Sequence, residues 1–313
     1  MIKYILFKNK RVLVCTNSNS ALDNLAVHFL NYDFIKYGSK TKSKIESTSK
    51  RSKLIFSTLY QSLKINKLFD YVIIDEGSFC NDLELLSALC KGKKIVLSGD
   101  PFQLNLEKML NEERIFLKNI KEINNLFEKI KIKKIILNKS FRSSEKMIEW
   151  SNKTFYNSVI QSDILPNSFD KQEILFVDTY NDTYESEKKS KINLKEAEIA
   201  VKLQEKYGGV IITMYDAQAK LLSEMTNNVH TVDSFQGKES DTVIVSFVRT
   251  EKTGFLKNLK RINVAVTRAK KRLIIICDGK MLMESELRSF INYLYENAYV
   301  VDYHSVMNDE LIN

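Results

Sequence analysis

The chain has 313 residues, 44% of them hydrophobic and 28% charged, a composition that suits a soluble protein with a substantial core, most economically in two domains. No long uncharged apolar run is present, so a membrane span is not expected, and four scattered cysteines and three histidines exclude a paired CxxC zinc site and leave little material for His-based hydrolysis. A formal charge of +9 and a pI near 9.1 suit a polyanionic partner, with a basic surface kept for solubility as the competing reading.

Cys15, Cys80, Cys90 and Cys277 fit a reducing, cytoplasmic compartment, and the apolar stretch after Met1 is too short for a signal peptide. Taken in order, residues 11–15 read as a short strand, followed by the polar turn Thr16-Asn17-Ser18-Asn19-Ser20 and a helix with apolar Leu22, Leu25, Ala26 and Phe29. Hydroxyls and amides at a helix amino end suit phosphate oxygens, or simply cap the helix. Residues 40–53 are rich in Lys and Ser and read as an exposed loop. Residues 54–58 form a strand ending in Ser57 and Thr58, and residues 59–68 a short helix.

Residues 71–74 are an apolar run without alternation, the mark of a strand buried on both faces of a parallel sheet. The run ends abruptly in Asp75 and Glu76, at the strand end where open α/β sheets bind ligands. The first carboxylate suits Mg²⁺ held through water and the second suits an attacking water; a solvated strand-to-helix turn is the plain alternative. A helix over 83–90 and a strand over 93–97 follow, the latter running into Gly99-Asp100-Pro101-Phe102-Gln103.

Helical periodicity over 115–127 precedes a domain boundary near residue 130, then a strand at 134–137 leading into Ser140-Phe141-Arg142-Ser143. The second half repeats the alternation, with strands at 174–177, 210–213, 242–248 and 273–277 and helices at 194–207, 217–225, 262–269 and 285–297. The pattern predicts an α/β protein with two domains, 1–130 and 131–313, each a parallel sheet flanked by helices.

In this order and spacing the segments resemble the superfamily 1 helicases of the up-frameshift (nonsense-mediated-decay) type. Residues 16–25 resemble motif Ia and Ser57-Thr58 motif Ic, Asp75-Glu76-Gly77-Ser78 looks like motif II, residues 99–104 like motif III, and Ser140-Phe141-Arg142-Ser143 like motif IV. The most specific pieces, residues 231–239 and 261–269, are similar to motifs V and VI. The resemblance implies two RecA-like domains of the P-loop NTPase fold, ATP with Mg²⁺ in the cleft between them, and single-stranded RNA or DNA across the top, travelled 5′ to 3′. Asp75 would then hold the metal, Glu76 activate water, Gln103 sense the terminal phosphate, and Arg142 and Arg268 stabilise the transferring phosphoryl group. Phe141, Gly237 and Glu239 would bind the nucleotide, and Thr16, Ser18, Asn19, Ser57, Thr58 and Thr231 would track the nucleic-acid backbone.

One family feature is missing from these residues. None of the nine glycines begins the phosphate loop GxxxxGK[ST], and Gly38-Ser39-Lys40-Thr41 is a near miss without the upstream glycine. A separate polypeptide supplying that loop, a fragment of a longer product, or a chain that has lost catalysis would each account for this. The retained Asp75, Glu76, Gln103, Arg142 and Arg268 favour the first two. The expectation is an ATP-dependent helicase or translocase, or the larger part of one. The alternative is a catalytically silent nucleic-acid-binding or scaffolding subunit.

Overall fold

The computed structural model describes residues 1–39, 44–80, 82–104, 130, 133–165, 173–180 and 190–310. The chain divides into two compact units, Met1–Lys134 and Ile135–Asn313. Among the described residues of the first, β1 (Val12–Thr16), β2 (Phe34–Tyr37), β3 (Leu54–Thr58), β4 (Phe69–Ile74) and β5 (Gly92–Leu97) form a parallel sheet in the order β2-β3-β1-β4-β5. Its helices include α1 (Ile2–Phe7), α2 (Asn19–Ala26), α3 (Leu59–Ser62) and α4 (Asp82–Leu89).

The period-two alternation of a strand sends neighbouring side chains to opposite faces. Leu13, Cys15, Ile55, Val72 and Ile74 accordingly pack with Leu59, Leu85 and Ala88 from α3 and α4. Val12, Val14, Leu54, Phe56 and Ile73 pack on the other face with Ile5, Leu22 and Ala26 from α1 and α2. Both faces of β1 and β3 are thus buried, and each large apolar side chain contributes about 1.5–3 kcal/mol. The edge strand β5 differs: Lys93, Lys94 and Ile95 are exposed, Ile95 by 41%.

In the second unit the described strands β8 (Ile174–Asp178), β9 (Val210–Thr213), β10 (Val229–Thr231), β11 (Ser240–Ser246), β12 (Ala269–Cys277) and β13 (Tyr299–Asp302) form a parallel sheet in the order β10-β9-β11-β12-β8-β13. Helices α5 (Glu145–Phe155), α6 (Leu194–Tyr207), α7 (Asp216–Met225), α8 (Val232–Phe235), α9 (Leu259–Val266), α10 (Gly279–Met283), α11 (Arg288–Asn297) and α12 (Tyr303–Met307) accompany it. Helix α6 starts on an Asn193 side-chain cap and ends at Gly208, whose φ of 68° suits glycine. Its Ala197, Ala200 and Leu203 pack against Leu175, Ile211, Ile244 and Ile274 of the sheet.

Four sequence expectations need correction or restriction. Residues 134–137 belong to no strand, and Ile135, Ile136 and Leu137 are exposed. The nearest pairing is a two-residue ladder between β6 (Lys139–Ser140) and β7 (Gln161–Ser162), because an apolar run makes a strand only where a partner strand lies beside it. The helix predicted over 59–68 stops at Ser62, whose hydroxyl donates to Leu59 O while Ile65 N–H turns back to Ser62 O. The helix predicted over 262–269 lies earlier, since the Thr267 hydroxyl donates to Asn263 O and the chain leaves α9 to enter β12. The helix predicted over 115–127 lies outside the described residues.

Candidate nucleotide and nucleic-acid sites

Because every strand of the first sheet runs the same way, the carboxyl ends of β3, β1 and β4 lie side by side, with Thr16 opposite Thr58 and Cys15 opposite Ile74. Asp75 and Glu76 leave β4 at this edge. The Asp75 N–H donates to Cys15 O at 2.9 Å, the Ser98 N–H to Ile74 O at 2.8 Å, and the Gly77 N–H to Ser98 O at 2.7 Å. Between these anchors Glu76 is forced into the left-handed region, φ 55° and ψ 39°. For a residue with a Cβ that conformation costs about 1–2 kcal/mol, strain of the kind that collects at functional sites. The Cys80 thiol donates to Glu76 O at 3.2 Å, and burial together with the carboxylates of Glu84, Glu76 and Asp75 pushes it up to about 12. It is a protonated structural donor, not a nucleophile.

The loop after β5 is tied to this turn. Ser78 Oγ accepts the Asp100 N–H at 3.1 Å, and Asp100 Oδ2 accepts Gln103 Nε2 at 3.0 Å. Gln103 therefore has a fixed side chain, and Asp100, which motif spacing did not single out as a site residue, is the group that fixes it.

The hydroxyls expected on nucleic acid are spent mostly on local turns. Thr16, fully buried, donates to Ser18 O at 2.9 Å; Ser57, also buried, donates to Thr58 O at 2.8 Å; Thr58 caps α3 through the Gln61 N–H. Ser18 is exposed and caps α2, accepting the Ala21 N–H at 3.1 Å, and Asn19 Oδ1 accepts the Ser39 N–H at 2.8 Å. The amino end of α2 is thus the open polar surface here.

In the second unit Arg142 follows β6, and its Nε donates to Glu239 Oε2 at 2.7 Å while its Nη1 donates to Thr267 O at 2.9 Å. The other oxygen of Glu239 pairs with Lys270 Nζ at 2.7 Å. The Lys270 hydrogen bond first, and Arg142 after it, hold the Glu239 carboxyl below its ordinary range against partial burial. Arg268 is buried, with Nε donating to Val264 O at 2.9 Å and Nη2 to Thr267 Oγ1 at 3.1 Å. The structure therefore brings Arg142, Arg268 and Glu239 together around Thr267. Phe141, beside Arg142, is 70% exposed.

Thr231, half-buried at the end of β10, caps the short helix α8 by accepting the Ser234 N–H. Two residues past α8, Gly237 has φ 74° with nothing within 4 Å of where a Cβ would stand, so glycine is there for its backbone angle. Gln236 stood inside the segment that resembles motif V but was given no role, and Lys270 went unread in the sequence. Both polar atoms of the Gln236 side chain are buried without a hydrogen-bond partner among the described residues, and Lys270 reveals itself only through its pairing with Glu239, which no residue spacing could have signalled.

A family model described as an AAA domain matches residues 119–280, about half of the chain, and a second of the same description matches residues 33–105. An uncharacterized ATP-dependent helicase of Methanocaldococcus jannaschii is 33% identical over an alignment of 250 positions that covers 70% of this chain and 37% of that protein. The DNA replication ATP-dependent helicase/nuclease DNA2 of Bos taurus is 27% identical over an alignment of 386 positions that covers 96% of this chain and 36% of its own length. The chain therefore spans little more than a third of these curated relatives. Among solved structures, the arterivirus nonstructural protein 10 helicase aligns with a TM-score of 0.58 at 15% identity, over 90% of this chain and 57% of its own, a likeness of fold and so of RecA-like sheets flanked by helices. The chain belongs to the AAA-domain family and, within it, to the DNA2-like group of superfamily 1 helicases.

Proposed function

We propose that this chain is an ATP-dependent helicase or translocase, or a part of one, that moves along single-stranded RNA or DNA, 5′ to 3′ as the family resemblance implies. The observation that carries the reading is Glu76, strained and pinned directly after Asp75 at the carboxyl end of β4. No group of three His, Cys, Asp or Glu side chains able to hold a metal occurs among the described residues. A metal at Asp75 would therefore depend on one or two carboxylates completed by water and phosphate, the habit of Mg²⁺. Asp75 would hold that ion, and Glu76 would orient the attacking water and take its proton.

Gln103, fixed by Asp100, would sit against the terminal phosphate, and Arg142 and Arg268 of the second unit would carry its charge. Phe141 would stack on the base, with Gly237 and Glu239 along the rest of the nucleotide. Ser18 and Asn19 would follow the backbone of the strand through the helix amino end that they cap, and Thr58 and Thr231 would do so at the ends of their strands, whereas Thr16 and Ser57, buried with their hydroxyls on the local backbone, would support that surface from beneath. No helix among the described residues is long and apolar enough to cross a membrane, and the cysteine chemistry supports a cytoplasmic place.

The missing cradle for the phosphates would come from a GxxxxGK[ST] segment outside these residues, in the same or another polypeptide. Among the described residues β5 pairs only with β4, and its Lys93, Lys94 and Ile95 are exposed, which supports that reading, because the strands of a parallel sheet are normally covered on both faces. The absent loop also favours a second reading, a silent subunit that only binds nucleic acid. ATP hydrolysis by the purified chain, with and without single strands, separates them. The proposal expects little turnover alone and strand-stimulated turnover once a strand–GxxxxGK[ST]–helix segment is joined before Met1. Restored nucleotide binding without turnover would favour the silent subunit.

A further inference from the structure

The segment between β11 and α9 presents a large aromatic ring outward from a rigid support. Thr253 and Leu256 are buried, yet Phe255 between them keeps 55% of its surface exposed. The support is built for this position. Gly254 has φ 52°, and a Cβ there would stand 2.4 Å from Arg249 Nη1 and 2.9 Å from the Tyr215 hydroxyl. Only glycine lets the chain settle onto those two groups. The Tyr215 hydroxyl accepts the Phe255 N–H at 3.4 Å and Arg249 Nη1 at 3.3 Å, and the Tyr215 and Phe255 rings lie 5.4 Å apart at 37°.

The surroundings of the ring are cationic. The Arg261 guanidinium stands 5.4 Å from the centre of Phe255, and its Nη2 is held by both oxygens of Asp233 at 3.2 and 3.1 Å. Asp233 lies on α8, directly after Thr231, so Phe255 adjoins the part of the second unit proposed to face the strand. The same segment carries Lys252 and Lys257, with Lys260 just beyond it on α9, against one carboxylate, Glu251. An exposed ring set rigidly among cations is what sequence-independent single-strand binders use: the cations meet phosphates and the ring takes the face of a base. A core role would have buried the ring, as it buries Leu256.

We infer that Phe255, supported by Tyr215 and flanked by Arg261, is a base-stacking contact for single-stranded nucleic acid. The inference rests on the reading that the chain binds such strands. Its test is the affinity of the purified chain for fluorescently labelled oligo(U) and oligo(dT), measured across a series of salt concentrations. Phe255→Ala is expected to weaken binding by about 5- to 100-fold while the slope of affinity against salt stays that of the unaltered chain, because stacking and not charge is lost. Phe255→Trp is expected to restore affinity and to have its emission quenched when the strand is added; the native tryptophan, Trp150, is buried. Loss on either oligonucleotide supports the contact, and loss on both assigns it to the base face common to RNA and DNA. Unchanged affinity of Phe255→Ala, or unmoved emission of Phe255→Trp with the strand bound, overturns the inference and leaves the wider proposal standing. Failure of the unaltered chain to bind either strand overturns both.

Discussion

The two units hold their candidate catalytic groups by different means. In the first, Asp75 and Glu76 are placed by main-chain hydrogen bonds to Cys15 on one side and Ser98 on the other, and the cost appears as backbone strain at Glu76. In the second, Arg142 and Glu239 meet through their own side chains across 97 positions of sequence, with Lys270 on the far oxygen. Main-chain placement fixes where a group stands whatever its side chain. Side-chain placement fixes a group only while its partners remain, and leaves it able to exchange them. The difference suits the division proposed above: a fixed base and metal site in one unit, and in the other an arginine, Arg142, that would leave the Glu239 carboxylate for a phosphate.

That contrast gives testable differences, the largest between the arginines. Arg268 is buried and donates charged hydrogen bonds to Val264 O and Thr267 Oγ1, so Arg268→Met should remove both and cost about 2–3 kcal/mol in urea unfolding of the second unit. Arg142→Met removes a partly exposed, solvent-screened pair and should cost less than about 1 kcal/mol. Equal losses would break the distinction between structural and exchangeable arginines. Glu76→Gln should change stability by less than about 0.5 kcal/mol, since the strain belongs to the backbone and remains.

A smaller effect lies at Glu196, the fully buried carboxyl of α6 that accepts Ser246 Oγ at 2.7 Å and the Val248 N–H at 2.8 Å. Burial pushes it from the ordinary 4.5 up to about 8, against those two hydrogen bonds. Between these values the folded chain keeps a proton that the unfolded chain releases, so this group makes stability fall as pH rises from about 4.5 to 8. Glu196→Gln should flatten that fall in a series of melting curves, each kcal/mol recovered being about 2–4 °C for a domain of this size. An unchanged slope would mean that the carboxyl stays ionised.

The smallest effect is at Glu239. Lys270→Met and Arg142→Met should each raise its carboxyl toward the ordinary range, Lys270→Met by more, as a carboxylate ¹³C titration would read. The reverse order would make Arg142 the main anchor and Lys270 incidental.

What the sequence made legible follows the same line. The buried strands and α6 were readable because apolar runs and caps are local: residues 54–58, 194–207 and 210–213 coincide with β3, α6 and β9. The carboxylates after β4 were readable because an apolar run that stops in two acids fixes their place at the strand end. The left-handed Glu76 was not, since its cause lies on β1 and in the loop after β5. The Arg142–Glu239–Lys270 cluster was not, since its members are brought together only by the second sheet. Residues 134–137 misled because three apolar side chains say nothing of whether a partner strand is near. The burial of Thr16 and Ser57 was equally hidden, because a hydroxyl at a strand end reads the same whether it faces a ligand or its own backbone.

The most direct test of the account is ATP hydrolysis by the chain joined to a strand–GxxxxGK[ST]–helix segment, in the presence of single-stranded RNA or DNA, with Glu76→Gln beside it. The account predicts strand-stimulated turnover that Glu76→Gln lowers by about 10²- to 10⁴-fold while nucleotide still binds. Turnover of equal rate in Glu76→Gln, or nucleotide bound without turnover in the unaltered sequence, would contradict it.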